Sequence, residues 1–172
     1  MGNHAVKYGV YYGGASIIIS LLLWLISPES LFNMGIGLAI GFGLPILFMY
    51  LSINTTKVEQ EGFISFGESL KASFLTYMLG SLIGVLFTFI LMNYIDPSLL
   101  EMQKEMAIKI AEDMTSMFGA PEEAMEEMRE EMENQNLDTM TFGQTMLTWL
   151  SGLIFPGLII TLIMSGILKK ND

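Results

Sequence analysis

The chain contains no cysteine and a single histidine, His4, among its 172 residues. The absence of cysteine excludes disulfides and thiolate-bound metals, and one histidine cannot form a His pair. The H-E-x-x-H, G-x-S-x-G and P-loop signatures are also missing, and no paired acids occur within an apolar segment. We therefore expect that the protein is not an enzyme and has no cofactor and no metal centre.

Charge is scarce as well, because only 15% of the residues are charged where about 25% is usual. The apolar residues collect in four runs, at 8–26, 34–54, 72–95 and 143–168. None of these runs has a charged residue at its centre. A bilayer core of about 30 Å needs about 20 helical residues, so each run is expected to cross a membrane. The first run is too long for a signal peptide and is expected to be retained.

All of the net charge of −10 lies in one segment, 96–138, which holds 13 acids and 3 bases. Its apolar residues recur at threes and fours, which is the period of an amphipathic helix. Gly119-Ala120-Pro121 interrupts the pattern and predicts a helical hairpin of residues 97–118 and 121–134. Methionines dominate its predicted inner face, and they form the candidate partner-binding face: Met102, Met106, Met117, Met125, Met128 and Met132.

The predicted fold is all-α, an integral membrane four-helix bundle with an extramembrane acidic helical hairpin between spans three and four. Residues 1–95 carry the first three spans, 96–138 form the hairpin, and 139–172 carry the fourth span and a tail. The loop at 27–33 has no lysine or arginine, whereas five lysines flank the other span ends: Lys7, Lys57, Lys71, Lys169 and Lys170. The positive-inside rule then places both termini in the cytoplasm and the hairpin outside.

Small residues recur at a spacing of four in the spans, as the pairs Gly9 and Gly13, Gly37 and Gly41, Gly80 and Gly84. Small residues allow close approach of membrane helices, either within one bundle or across a homodimer. Prolines inside two spans, Pro45 and Pro156, predict helix kinks.

A short repeat opens the third and fourth spans. Residues 64–70 (ISFGESL) resemble residues 140–146 (MTFGQTM), and each contains a hydroxyl residue followed three positions later by Glu or Gln. This pattern predicts capping boxes formed by Ser65 with Glu68 and by Thr141 with Gln144. In the predicted topology the two copies start from opposite faces of the membrane. They indicate either an inverted repeat, as in many transporters, or reuse of a good helix start.

The segment 62–71 (GFISFGESLK), the Tyr94-Ile95-Asp96-Pro97 span exit, and one long acidic loop after the third of four spans form a recognisable set. Together they resemble a bacterial four-span membrane family catalogued as domain of unknown function 4199, over nearly the whole chain. The resemblance implies a bacterial inner-membrane protein, for which the topology expected from the lysines would make the hairpin periplasmic. It implies no activity and supplies no functional residues.

The hairpin of about forty residues is too small to fold alone, so its apolar face must meet the bundle, a second copy or another protein. We expect a non-enzymatic scaffold or accessory subunit with the bilayer, a homo-oligomer or a membrane protein as partners, and no nucleic acid. The alternative is a small oligomeric transporter or channel with an acidic, cation-attracting mouth. Methionine thioethers can bind Cu(I), but the chain lacks the Cys and His that usually share such a site. Divalent cations are expected to bind the acidic run only weakly.

Overall fold

The computed structural model describes residues 2–117, 126, 127, 129, 130 and 141–170. Its long helices are α1 (Gly2–Ile26), α2 (Met34–Glu59), α3 (Phe66–Ile90), α4 (Ser98–Met117), α5 (Phe142–Gly152) and α6 (Ile159–Leu168). A 3-10 turn, Pro28–Phe32, joins α1 to α2. Two π-helical segments follow, Leu91–Ile95 after α3 and Leu153–Leu158 between α5 and α6. The described residues contain no strand beyond an isolated bridge.

Within the described residues, four helical segments are long and apolar enough to cross a membrane, namely Asn3–Ile26, Met34–Glu59, Phe66–Ile95 and Phe142–Leu168. The predicted all-α membrane bundle is confirmed, and the protein is a multi-pass membrane protein. The first three segments are longer than the apolar runs, because polar turns at their ends continue the helices. The chain divides into two compact units, Met1–Thr88 with Gly143–Asp172, and Phe89–Phe142.

Helices α1 and α2 pair through side chains spaced by about one turn. On α1, His4, Tyr8 and Tyr12 recur every four residues and therefore share one face. Their partners are Glu59 (2.7 Å from His4 Nε2), Thr55 (2.9 Å from the Tyr8 hydroxyl) and Phe48 (ring centroid 6.1 Å from that of Tyr12). These contacts fix the register of the antiparallel pair.

Helices α3 and α6 are joined by small polar side chains at the end of the bundle where α1 and α3 begin. The Ser73 and Ser165 hydroxyls lie 3.1 Å apart and are buried. Lys57 Nζ donates to the Leu168 carbonyl at 3.1 Å, and Ile64 and Lys170 form an antiparallel bridge. We call this end of the bundle the bridged end, and the opposite end, at the turn Pro28–Phe32, the loop end.

The fourth span is broken, as Pro156 predicted. Phe155 has extended backbone angles (φ −137°, ψ 117°) inside the π-helical segment. The ring of Tyr77 fills the space beside Gly157, where any Cβ would collide with it, and its hydroxyl donates to the Gly152 carbonyl at 3.4 Å. By contrast, α2 continues through the buried Pro45 as a single helix.

Candidate functional site

The unit Phe89–Phe142 presents the helix that follows the third span. Four of its apolar side chains are buried: Leu91, Met92, Leu99 and Leu100. The first two belong to the π-helical segment and the last two to the first turn of α4. These buried side chains anchor the first turn of α4. Ser98 Oγ donates to the Asp96 carboxylate, and this hydrogen bond helps to turn the chain into the helix.

Helix α4 has two faces of different character. An exposed stripe at four-residue spacing carries charge and consists of Glu101, Glu105, Lys109 and Asp113. Met102 and Met106 lie between these positions and are half-buried, whereas Met117 at the end of the helix is 85% exposed. The helix is therefore amphipathic along its described length, and the predicted methionine face is only partly covered.

The second arm of the predicted hairpin lies largely outside the described residues, and so do Met125, Met128 and Met132. The described residues of this arm are helical and exposed, and they comprise Glu126, Glu127, Arg129 and Glu130. Arg129 Nη1 lies 3.6 Å from Glu112 Oε1 of α4. Both side chains are well exposed, and such a pair contributes little free energy. The hairpin remains a prediction.

Close helix packing involves four of the six predicted glycines. A Cβ at Gly9 would lie 2.9 Å from Leu79 Cβ, and one at Gly13 would lie 2.5 Å from Ile83 Cβ. On the facing helix, a Cβ at Gly80 would collide with the ring of Tyr12, and Gly84 lies beside Ser16. These glycines therefore allow α1 and α3 to approach closely.

Gly37 and Gly41 on α2 differ from the other four. A Cβ at either position would meet no described atom within 4 Å. Both residues are exposed, as are most residues in the first third of α2. The spacing of four therefore occurs both at a helix contact and on an open helix face.

The structure shows the capping box of α3. The Glu68 amide donates to Ser65 Oγ at 3.3 Å, and the Ser65 amide donates to Glu68 Oε2 at 3.0 Å. Gln60 Nε2 also donates to the Glu68 carboxylate at 3.2 Å, which connects the cap to the end of α2. Thr141 directly precedes α5, which gives it the same cap position, with Gln144 three residues later.

Hydroxyl side chains within the spans were not among the predicted site residues, yet several of them make polar contacts between spans. Besides Ser73 and Ser165, the Thr76 hydroxyl donates to the Ala5 carbonyl at 3.2 Å, and Trp149 Nε1 donates to Ser81 Oγ at 3.0 Å. The sequence signal for them is the spacing of four within one helix, since Ser and Thr at that spacing share a face. These groups stabilise the bundle, and none carries a charge.

The acidic residues give no preformed metal site in the described part of the chain, where no three His, Asp or Glu side chains come together. Most of the acidic run 122–133 lies outside that part. The expectation of weak divalent binding therefore remains a prediction.

The spans define a multi-pass membrane protein with one helical unit of different composition after its third span. Residues 7–170 match the family described as "Protein of unknown function (DUF4199)". The chain therefore belongs to that family, as its motifs predicted. No curated protein and no solved structure matches it.

Proposed function

We propose that the protein is a non-enzymatic scaffold or accessory subunit that acts through the segment 96–138. The observation that carries this proposal is the partly covered apolar face of α4. Met102 and Met106 are half-buried, and Met117 is 85% exposed. Methionine suits a surface that adapts to a partner, because its side chain is unbranched and polarizable.

The charge of this segment argues for a protein partner rather than for lipid. Helices that lie on membranes are usually basic, because lipid headgroups are often anionic. The segment 96–138 holds 13 acids and 3 bases. An acidic helix with a methionine face is better suited to a protein surface that is apolar at its centre and basic at its rim.

The proposed orientation follows from the lysines. Lys7, Lys57, Lys71 and Lys170 all lie near the bridged end, where α1 and α3 begin and where α2 and α6 end. The positive-inside rule assigns that end to the cytoplasm. Both termini are then cytoplasmic, and the segment 96–138 is periplasmic in a bacterial inner membrane.

The proposal is tested by crosslinking on the periplasmic side, followed by affinity capture of the tagged protein from mild-detergent membranes. The wild type is compared with a chain lacking 97–136 and with Met102→Glu/Met106→Glu, which places charge on the apolar face. Glu101→Gln/Glu105→Gln is the matched control on the exposed stripe. We expect the wild type and the control variant to capture a specific protein, and the other two chains to capture none. Identical recovery from all four chains would contradict the proposal.

The broken fourth span favours a second candidate, a small oligomeric transporter or channel. Discontinuous helices are typical of transporter binding sites, where unwound backbone lines the path. The break at Phe155 is of this kind, although Tyr77 fills the space beside it. Ion flux into liposomes that contain the purified protein tests this function. Flux that rises with protein density would support it, whereas flux equal to that of empty liposomes would exclude it for the ions tested.

A further inference from the structure

The beginning of α1 carries a lysine on its outward face. Ala5 and Gly9 of this helix are buried, whereas Val6, Lys7, Val10 and Tyr11 are exposed. Lys7 lies four residues into the span Asn3–Ile26, or about 6 Å from its start at 1.5 Å per residue. Because this helix of 24 residues is about 36 Å long and a hydrocarbon core is about 30 Å thick, the ammonium group is expected near the boundary with the headgroups.

Two tyrosine rings lie beside this ammonium group. Lys7 Nζ lies 5.8 Å from the ring centroid of Tyr8 and 5.7 Å from that of Tyr11. The two rings meet edge to face, with centroids 6.1 Å apart. Tyr8 is fixed by its hydroxyl contact with Thr55 on α2. Cation–π attraction at an exposed site is worth about 0.5–1 kcal/mol, so the two rings favour this position of the lysine.

Lys7 is not neutralised by a carboxylate within the described part of the chain. Glu59, at the facing end of α2, contacts His4 instead. Other lysines at the bridged end are placed differently: Lys57 donates to the Leu168 carbonyl, and Lys71 follows Glu68 by three residues on α3. Lys7 thus presents a positive charge to the membrane surface, beside the half-exposed ring of Tyr11.

We infer that Lys7, Tyr8 and Tyr11 form a binding site for the headgroup of an anionic phospholipid. The lysine pairs with the phosphate, and the exposed Tyr11 supplies a hydroxyl donor beside it. Val6 and Val10 lie on the same exposed face, where they contact the lipid chains. Aromatic rings with a polar tip favour this depth of the membrane. The site does not depend on the proposed orientation, because it requires only an anionic leaflet.

Titration of the purified full-length protein with phosphatidylglycerol or phosphatidylcholine, followed by native mass spectrometry, tests this site. We expect the wild type to bind phosphatidylglycerol more tightly than phosphatidylcholine. Lys7→Gln should weaken phosphatidylglycerol binding about fivefold, the value of one lysine at an anionic surface. It should weaken phosphatidylcholine binding much less, because that headgroup carries a phosphate but no net charge. Tyr11→Leu keeps the charge of Lys7 but removes one of the two aromatic rings, and it should cause a smaller loss of phosphatidylglycerol affinity.

Lys71→Gln is the matched control, since it removes the same charge from the same end of the bundle. Its phosphatidylglycerol affinity should equal that of the wild type. An equal loss of phosphatidylglycerol affinity in Lys71→Gln and Lys7→Gln would mean that the lipid is attracted by the overall positive charge of this end, and it would overturn the site. Unchanged binding in Lys7→Gln would also overturn it. Displacement of the lipid by millimolar inorganic phosphate would show a general anion site instead of a lipid site.

Discussion

The two ends of the span bundle are built differently. At the bridged end, polar contacts connect the ends of the spans. They are the contact of His4 with Glu59, the cap of Ser65 with Glu68, the hydrogen bond from Lys57 to the Leu168 carbonyl, and the bridge between Ile64 and Lys170. At the loop end, α1 finishes with Ile26, which is 81% exposed, and α2 begins with apolar residues that are mostly exposed. These four polar contacts all lie at the bridged end.

This difference indicates how a bundle without charged residues at the centres of its spans is held together. Burial of apolar surface gives little preference for helix association inside lipid, so packing of small residues and hydrogen bonds must provide it. Both features are found from the middle of the bundle to the bridged end, in Gly13, Gly80, Ser73 and Ser165.

The largest effect is expected from adding a methyl group at a packed glycine. Gly80→Ala would place its Cβ within the ring of Tyr12, so α1 and α3 must separate. Overpacking of this kind costs about 2 kcal/mol of the free energy of unfolding. Unfolding of the protein in mixed micelles, followed by circular dichroism, measures this loss. Gly41→Ala on the open face of α2 is the control, and it should leave stability unchanged or raise it by up to about 1 kcal/mol. Equal losses in both variants would contradict the distinction between the packed Gly80 and the open Gly41.

The next effect is the loss of the cap at the bridged end. Ser65→Ala removes the acceptor of the Glu68 amide and should lower the free energy of unfolding by about 1 kcal/mol. Ser27 holds the corresponding position before the turn Pro28–Phe32, but its side chain makes no cap hydrogen bond. Ser27→Ala should therefore change stability by much less. If the two substitutions lower the free energy of unfolding equally in the same assay, helix capping does not distinguish the bridged end from the loop end.

The features that the sequence predicted are local ones. The spans follow from apolar runs, and the caps of Ser65 and Glu68 follow from a spacing of three. The break follows from Pro156. The contacts between spans were not predicted, because they depend on the rotation and register of whole helices. The spacing of glycines could not separate Gly80, which faces Tyr12, from Gly41, which faces no described atom.

A smaller effect is expected from the hydroxyl pair of Ser73 and Ser165. A double-mutant cycle with Ser73→Ala and Ser165→Ala isolates their mutual contact, in which one hydroxyl gives its single proton to the other instead of to a carbonyl of its own helix. Hydrogen bonds between membrane helices average about 0.6 kcal/mol, so we expect a coupling of that size. The same cycle between Ser73 and Ser151, which bonds to the Leu147 carbonyl of its own helix, should give no coupling. A zero value for the first cycle would remove this pair from the interactions that hold α3 to α6.

The smallest effect is expected from the contact of His4 with Glu59, which is an ion pair only when the imidazole is protonated. The Glu59 side chain is 57% exposed, so solvent screens the attraction, and exposed pairs contribute less than about 1 kcal/mol. Glu59→Gln should therefore lower the free energy of unfolding by a few tenths of a kcal/mol at low salt. At about 1 M salt, where the Debye length is about 3 Å, the difference from the wild type should vanish. Glu61→Gln changes the same charge two residues later, and it should show no loss at either salt concentration. A loss in Glu59→Gln that persists at high salt would mean that the contact acts through geometry instead of charge, and that His4 positions the start of α1 on α2.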